Sequence, residues 1–320
     1  MKQMGYRAEV DGAGNAVGTR GEGEREIILL GHIDTVAGFI PVHREGDILY
    51  GRGAVDAKGP LACFVCAGAG VDPPPNWKLR VIGAVGEEGD SRGAHYIGAR
   101  YSPEAVIIGE PSKWDKITLG FKGSVWARYS VRQNQTHTAH QAESAAERVV
   151  RFWNELVAWS KTLEPEGPMN FYQVTPSLRE IHSESQDGFT DTATVKINIR
   201  IPPAVTMAAL CEKMKELAGE GELLIEDGVN AYKAEKNTFA VRAMLNAVRK
   251  AGGQPNFTTK TGTADMNIVA PAWGCPALAY GPGDSNLDHT PDEHTSITEY
   301  LKGIEVLRSA LIIMMQAEKI

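Results

Sequence analysis

Cysteine is scarce: Cys63, Cys66, Cys211 and Cys275 are the only four in 320 residues. They are too few and too scattered for a disulfide framework, which points to a reduced, cytoplasmic setting. No apolar run reaches the ~18 residues that span a bilayer, and the opening MKQMGYRAEV lacks the apolar core of a signal peptide. Positive charge is in deficit. The 33 Lys and Arg stand against 40 Asp and Glu, a net of −7, which argues against nucleic acid as a generic partner. Internal repeats and low-complexity segments are also missing. The close cysteine pair, Cys63-Phe-Val-Cys66, has no second pair and lies in a small-residue apolar helix, so it reads as packing rather than as a metal or redox motif. Asp11-Gly-Ala-Gly-Asn15 is not a dinucleotide fingerprint, because no helix follows its glycines.

What is present is a succession of apolar strands with polar endings. Ile27-Ile-Leu-Leu30 releases His32-x-Asp34-Thr35, and a loop leads to Arg52-Gly-x-x-Asp56-x-Lys58-Gly59. A helix is expected over 59–71, with Pro60 in its first turn, where a missing N–H costs nothing. A strand over 77–85 ends in Gly86-Glu87-Glu88-Gly89, a short helix covers 93–101, and a buried strand over 105–108 ends in Gly109-Glu110-Pro111. Three strands in a row thus end in His/Asp, Glu-Glu and Glu. The carboxyl edge of a sheet is where α/β enzymes present their chemistry. Ahead of them, Lys2–Val17 reads as a strand and a turn, without the helix that usually precedes such a first strand.

The texture then changes. Ile117–Arg132 alternates throughout, with Phe121, Val125, Ala127, Tyr129 and Val131 on one face and Lys122, Ser124, Arg128, Ser130 and Arg132 on the other. This predicts one half-buried antiparallel strand. A helix over 143–163, strands over 169–183 and 190–201, a helix over 207–218 and a strand over 222–226 complete a β-α-β-β-α-β order, that of a ferredoxin-like module. The expected organisation is a discontinuous α/β catalytic domain, 1–116 and 231–320, with 117–230 inserted as a lid. The second piece should hold a helix over 237–251, a polar loop Lys260–Asn267 and a strand over 276–280. After these come the run Gly281–Glu293 and a helix over 297–315 opened by the capping box Ser296-x-x-Glu299.

The polar groups at the strand ends and in these loops are His32, Asp34, Asp56, Glu87, Glu88, Glu110 and His289. Imidazoles and carboxylates without a thiolate suit Zn²⁺, Co²⁺ or Mn²⁺. Two ions ~3.5–4 Å apart need one bridging carboxylate and further His and acid ligands, which this inventory supplies. His32-Ile-Asp34-Thr-Val, Gly51-Arg-Gly-x-x-Asp56-x-Lys-Gly59, Glu87-Glu88-Gly, Gly109-Glu110-Pro and His289-Thr-Pro-Asp-Glu293 resemble, in order, the co-catalytic metallo-aminoacylase and carboxypeptidase family. That family includes acetylornithine deacetylase and succinyl-diaminopimelate desuccinylase. The resemblance implies a zinc-peptidase-like mixed sheet with a ferredoxin-like lid. It makes Asp56 the bridge between two divalent ions, zinc first and cobalt as the alternative. His32 and Glu110 complete one ion, and Glu88 with His289 the other. Glu87 becomes the general base, taking a proton from the attacking water and passing it to the leaving amine. Adjacent residues in an extended segment point apart, which favours dividing Glu87 from Glu88 in this way. Asp34 becomes the carboxylate that fixes the His32 tautomer.

From the lid, the resemblance implies a histidine near the scissile carbonyl, His137 or else His140. It also implies Arg200 and Thr263 as substrate-binding groups, although Asn198 stands where the family's motif has Asp. The stretches Asp115–Gly123, Lys260–Asn267 and Tyr280–His294 are similar to the LysK-type branch of the family. These enzymes release lysine or ornithine from the C-terminal glutamate γ-carboxyl of an acidic amino-group carrier protein. By that likeness the leading helix is missing here, which a truncated start or a misassigned initiator Met would explain. A homodimer through the lid is the family expectation, and Lys122, Arg128, Arg132 and Lys116 are expected to attract the acidic carrier. The competing functions are a small-molecule deacylase and a non-catalytic metal-binding protein. The intact ligand set and Glu87 speak against the latter.

Overall fold

The computed structural model describes residues 1–135, 142–163, 165, 169–185 and 187–316. The chain divides into two compact units: Met1–Gly120 with Lys233–Thr259 and Ala264–Ile320, and Phe121–Tyr232 with Lys260–Thr263.

The first unit opens with strands β1 (Arg7–Val10) and β2 (Ala16–Gly21), an antiparallel hairpin. Its turn is tightened by Asp11, whose carboxylate accepts from the backbone N–H groups of Ala13 and Asn15. Then come β3 (Arg25–His32), β4 (His43–Glu45), β5 (Ile48–Tyr50), α1 (Lys58–Ala69), β6 (Trp77–Ala84), α2 (Arg92–Gly98), β7 (Ala105–Ile108) and β8 (Lys113–Phe121). The second unit contributes β9 (Gly123–Asn134), α3 (Ala145–Thr162), α4 (Met169–Tyr172), β10 (Thr175–Ser185), β11 (Thr190–Ile201), α5 (Met207–Ala218) and β12 (Glu222–Val229). The chain returns through β13 (Tyr232–Lys233), α6 (Phe239–Lys250), β14 (Asn256–Lys260), α7 (Met266–Trp273), β15 (Ala277–Gly281), β16 (His294–Ser296) and α8 (Ile297–Gln316).

Among the described residues, nine strands make one mixed sheet, ordered β1-β2-β6-β3-β7-β15-β8-β13 with β14 on β8. Its centre, β6-β3-β7-β15, is parallel throughout. Such strands are covered on both faces and read as continuous apolar runs, as Ile27–Leu30 and Ala105–Ile108 do, all of them buried. Helix α1 packs over β3, β6 and β15 and against α8. A separate small antiparallel sheet, β16-β5-β4, was not foreseen.

In the second unit β9, β10, β11 and β12 form an antiparallel sheet ordered β10-β11-β9-β12, backed by α3 and α5. This is the ferredoxin-like arrangement. Val125, Ala127, Tyr129 and Val131 of β9 bury their side chains among Phe152 and Leu156 of α3 and Leu210 and Met214 of α5. Tyr129 stacks on Phe152 with centroids 4.2 Å apart. Helix α3 starts in a full capping box between Ser144 and Glu147.

Four expectations need correction. The alternating stretch Ile117–Arg132 is two strands in two sheets, β8 and β9, broken at Lys122 between Gly120 and Gly123, while the alternation runs on through the break. Lys122 sits at that junction and is fully buried. It donates to the carbonyls of Asn170 and Gln173 and to the Thr175 hydroxyl, while Arg128 pairs with Glu226 at 2.9 Å. Lys122 is therefore no part of a basic docking face. Residues 169–172, read as strand, form the short helix α4, and the loop read over Lys260–Asn267 runs into α7. Helix α7 carries Pro271 in its interior. No helix among the described residues is long and apolar enough to cross a membrane.

Candidate active site

Because β6, β3, β7 and β15 are neighbours and parallel, the segments leaving their carboxyl ends gather at one edge of the sheet. His32 closes β3, Glu87 and Glu88 follow β6, Glu110 follows β7, and His289 lies in the loop after β15. Asp56 arrives from the loop between β5 and α1. His289 holds φ at +61°, in the left-handed region that costs a residue with a Cβ ~1–2 kcal/mol.

Asp56 is at the centre. Its Oδ1 lies 3.1 Å from His32 Nε2, and its Oδ2 lies 2.8 Å from His289 Nε2. His289 Nε2 is also 3.1 Å from Glu88 Oε1, and His32 Nε2 is 4.0 Å from both Glu87 Oε2 and Glu110 Oε1. One carboxylate is therefore shared by two imidazoles, and each imidazole faces at least one further acid. His32, Asp56 and Glu88 place one ligand atom each within 4.8 Å of one another.

The His32 tautomer follows from its other nitrogen. Nδ1 lies 3.1 Å from the Asp34 backbone carbonyl, which can only accept, so Nδ1 carries a proton and Nε2 is the nitrogen turned toward Asp56. Two acceptors 3.1 Å apart require a proton or a cation between them. The Asp34 carboxylate does something other than expected. It stands 3.8 Å from Nδ1 and accepts instead from the backbone N–H groups of Gly86, Glu87 and Glu88, at 3.1, 3.3 and 3.1 Å. Asp34 thus orients His32 through its carbonyl and the two-acid loop through its carboxylate.

The electrostatics show how crowded with acid the cluster is. Burial drives the His32 imidazole pKa down, but the hydrogen bond to Asp56 and the charges of Glu110 and Glu87 overcome it and lift the group to about 11. Burial raises Asp56, yet the His32 and His289 contacts win and hold it below the usual carboxylate range. Glu87 is pushed well up, by burial first and then by Asp265, Glu88 and Asp56, with His32 opposing. Glu88 is raised by burial and by Asp56. A set of acids that cannot all ionise together is the surrounding that bound cations relieve. The residues present fit a pair of divalent ions.

Residues 28–312 match the model of peptidase family M20/M25/M40. The chain belongs to that family. It is 42% identical over 320 residues to the [LysW]-lysine hydrolase of Deinococcus radiodurans, covering 97% of this chain and 88% of that protein. It is 40% identical over 308 residues to a putative [LysW]-lysine/[LysW]-ornithine hydrolase of Thermococcus kodakarensis, covering 96% and 82%. In fold it resembles the M20 family metallo-carboxypeptidase Sso-CP2 from Sulfolobus solfataricus, with a TM-score of 0.77 at 18% identity, covering 98% of this chain and 91% of that one. Like other M20/M25/M40 members, it is a metal-dependent hydrolase of amide bonds.

The remaining candidates lie in the second unit. Arg200 is half-buried there, with Nη1 donating to the Thr263 hydroxyl at 3.3 Å. His137 and His140 fall outside the described residues. Asp265 was not singled out from the sequence, although it stood in a quoted motif. It is 2% exposed, and neither carboxylate oxygen meets hydrogen-bond geometry. Burial raises it, and Asp34 adds to the rise while His32 and the Ser91 hydroxyl pull it back. An acidic residue flanked by Ala264 and Met266 was the available signal.

Proposed function

We propose that this protein releases L-lysine, L-ornithine or both from a small acidic amino-group carrier protein. The bond cut is the amide between the carrier's C-terminal glutamate γ-carboxyl and the amino acid's α-amine. The observation that carries the chemistry is Asp56 shared between His32 and His289, with further acids beside each imidazole. The names and extended identity of the relatives support the substrate.

In this reading Asp56 bridges two ions, His32 and Glu110 hold one, and Glu88 and His289 hold the other. Two divalent ions there, Zn²⁺ or Co²⁺, would supply Lewis acidity toward the amide carbonyl and make the attacking water more acidic. Glu87, largely buried beside His32 but outside the ligand set, takes the proton from that water and returns it to the leaving α-amine. Asp34 keeps Glu87 and Glu88 in register. Arg200 offers a forked donor suited to the α-carboxylate of the released amino acid, with Thr263 bracing it. His137, or His140, assists at the scissile carbonyl from the inserted segment, which as a compact unit begins at Phe121 rather than at residue 117. The protein works in the cytoplasm, in keeping with its four free cysteines.

A homodimer through the second unit is supported by β10, an eleven-residue edge strand with Leu178 and Ile181 exposed. The test of substrate is hydrolysis of purified carrier–lysine and carrier–ornithine conjugates beside N-acetylornithine, with ion content read by mass spectrometry. Turnover of the conjugates well above the acetylated compound is expected. The reverse preference would make the protein a small-molecule deacylase.

A further inference from the structure

The stretches Arg52-Gly-x-x-Asp56 and His289-Thr-Pro-Asp-Glu293 contain charged residues that the ion-holding set does not use, and those residues meet. Glu293 is fully buried. Its Oε2 accepts from Arg52 Nη1 at 2.7 Å. Its Oε1 accepts from the backbone N–H groups of Gly53, Val55 and Asp56 at 2.9, 2.9 and 3.0 Å. The Glu293 carbonyl accepts from Gly51 N–H at 3.2 Å, and Arg52 Nε donates to the Gly38 carbonyl at 3.2 Å. One carboxylate and its guanidinium partner therefore tie together three loops. These are the loop that leaves His32 and Asp34, the loop that carries Asp56, and the loop that carries His289.

Burying a carboxylate is costly unless its lone pairs are filled by good donors, and four donors including a guanidinium fill these. Three N–H groups converge on one oxygen only if the backbone curls into an anion-holding nest. Gly53 permits that curl, with φ at +88° and a position where a Cβ would press on Lys58 and Thr35. The Asp56 N–H is itself one of the three. Holding it fixes the direction in which the Asp56 side chain leaves the backbone, and so the placement of its two oxygens between His32 and His289.

We propose that Glu293, together with Arg52, is a positioning residue for the ion-bridging carboxylate, setting Asp56 and His289 as one rigid pair on which ion affinity depends. This rests on reading Asp56 and His289 as ion ligands. A purely structural clamp would change stability and leave ion affinity alone.

The experiment uses the full chain and the variants Glu293→Gln, Arg52→Gln and Arg52→Lys. Circular dichroism checks folding, ions per chain are measured after dialysis against graded chelator, and visible spectra are recorded after loading with Co²⁺. Wild type should hold two ions, and the two Gln variants should hold them about 10–100-fold more weakly with an altered Co²⁺ band. Arg52→Lys, which keeps the charge but loses the fork, should fall between and supplies the measurement if a Gln variant does not fold. Wild type without ions overturns the ligand reading and this proposal with it. Two ions in wild type and unchanged affinity in the variants overturns this proposal alone.

Discussion

Replacing Asp34 by Asn separates the two jobs that this residue performs. The backbone carbonyl, and with it the His32 contact, is retained. The carboxylate now accepts two N–H groups at Oδ1, from Gly86 and Glu87, and one at Oδ2, from Glu88. An amide keeps one acceptor oxygen and places an NH₂ at the other position, donor against donor at the Glu88 N–H. Turning the amide over is worse, because the NH₂ then meets two donors. The variant loses about one hydrogen bond to a charged acceptor, worth ~1.5–3 kcal/mol. If that loss is felt fully where Glu87 and Glu88 act, kcat/KM falls about 10- to 150-fold, at ~1.4 kcal/mol per decade. The assay is steady-state hydrolysis of an acyl-lysine substrate with divalent ion in excess, alongside a thermal melt showing that the fold persists. Asp34→Asn within twofold of wild type would refute the reasoning, because the loop bearing both acids would then not depend on this carboxylate.

Four further outcomes follow from the same structure. Glu87→Gln should lower kcat by ~10²–10⁴-fold, the usual worth of a general base, while ions per chain stay as in wild type; loss of an ion would instead make Glu87 a ligand. Ions at a hundredfold excess over Kd should stabilise the first unit by ~2.7 kcal/mol, and at ~2–4 °C per kcal/mol for a unit of this size a chelator should lower its melting point by roughly 5–10 °C; coincident melts with and without chelator would contradict an ion site. Phe152→Ala, which empties the fully buried position stacked on Tyr129, should cost ~3–5 kcal/mol in urea unfolding of the second unit, and a cost below ~1 kcal/mol would contradict the packing described. Burial, with Arg200 adding to it, pushes Lys122 down from 10.5 to about 8. The unfolded chain then binds that proton more tightly, so stability should rise as pH climbs through that window, and Lys122→Met should abolish the rise in urea midpoints.

Most residues of the proposed ion site could be picked out as candidates because they sit at or beyond a feature that sequence displays. His32, Glu87, Glu88 and Glu110 follow apolar runs short enough to be buried strands, and His289 follows another. Their partners were not legible, because those are backbone atoms of remote segments. Nothing in the spacing says that the Asp34 carboxylate will meet the N–H groups of residues 86–88, or that Glu293 will fill a nest at 53–56. Lys122 defeats pattern reading for a different reason. A lysine on the polar phase of an alternating stretch looks solvated, yet here the strand ends beside it and the ammonium finds acceptors inside the second unit.

The position of β15 between β7 and β8 has a consequence for how the polypeptide is made. Both neighbours are synthesised before residue 122, whereas β15 begins at Ala277, after the whole inserted unit. Until that stretch emerges from the ribosome, β7 has an open edge, because the backbone groups of residues 106–108 that pair with β15 have no strand to meet. The inserted unit is nearly contiguous and can reach its own fold in the interval, while the larger one waits with an exposed strand. Nascent chains stalled just short of residue 277 should therefore be the form most prone to aggregate and most in need of a chaperone.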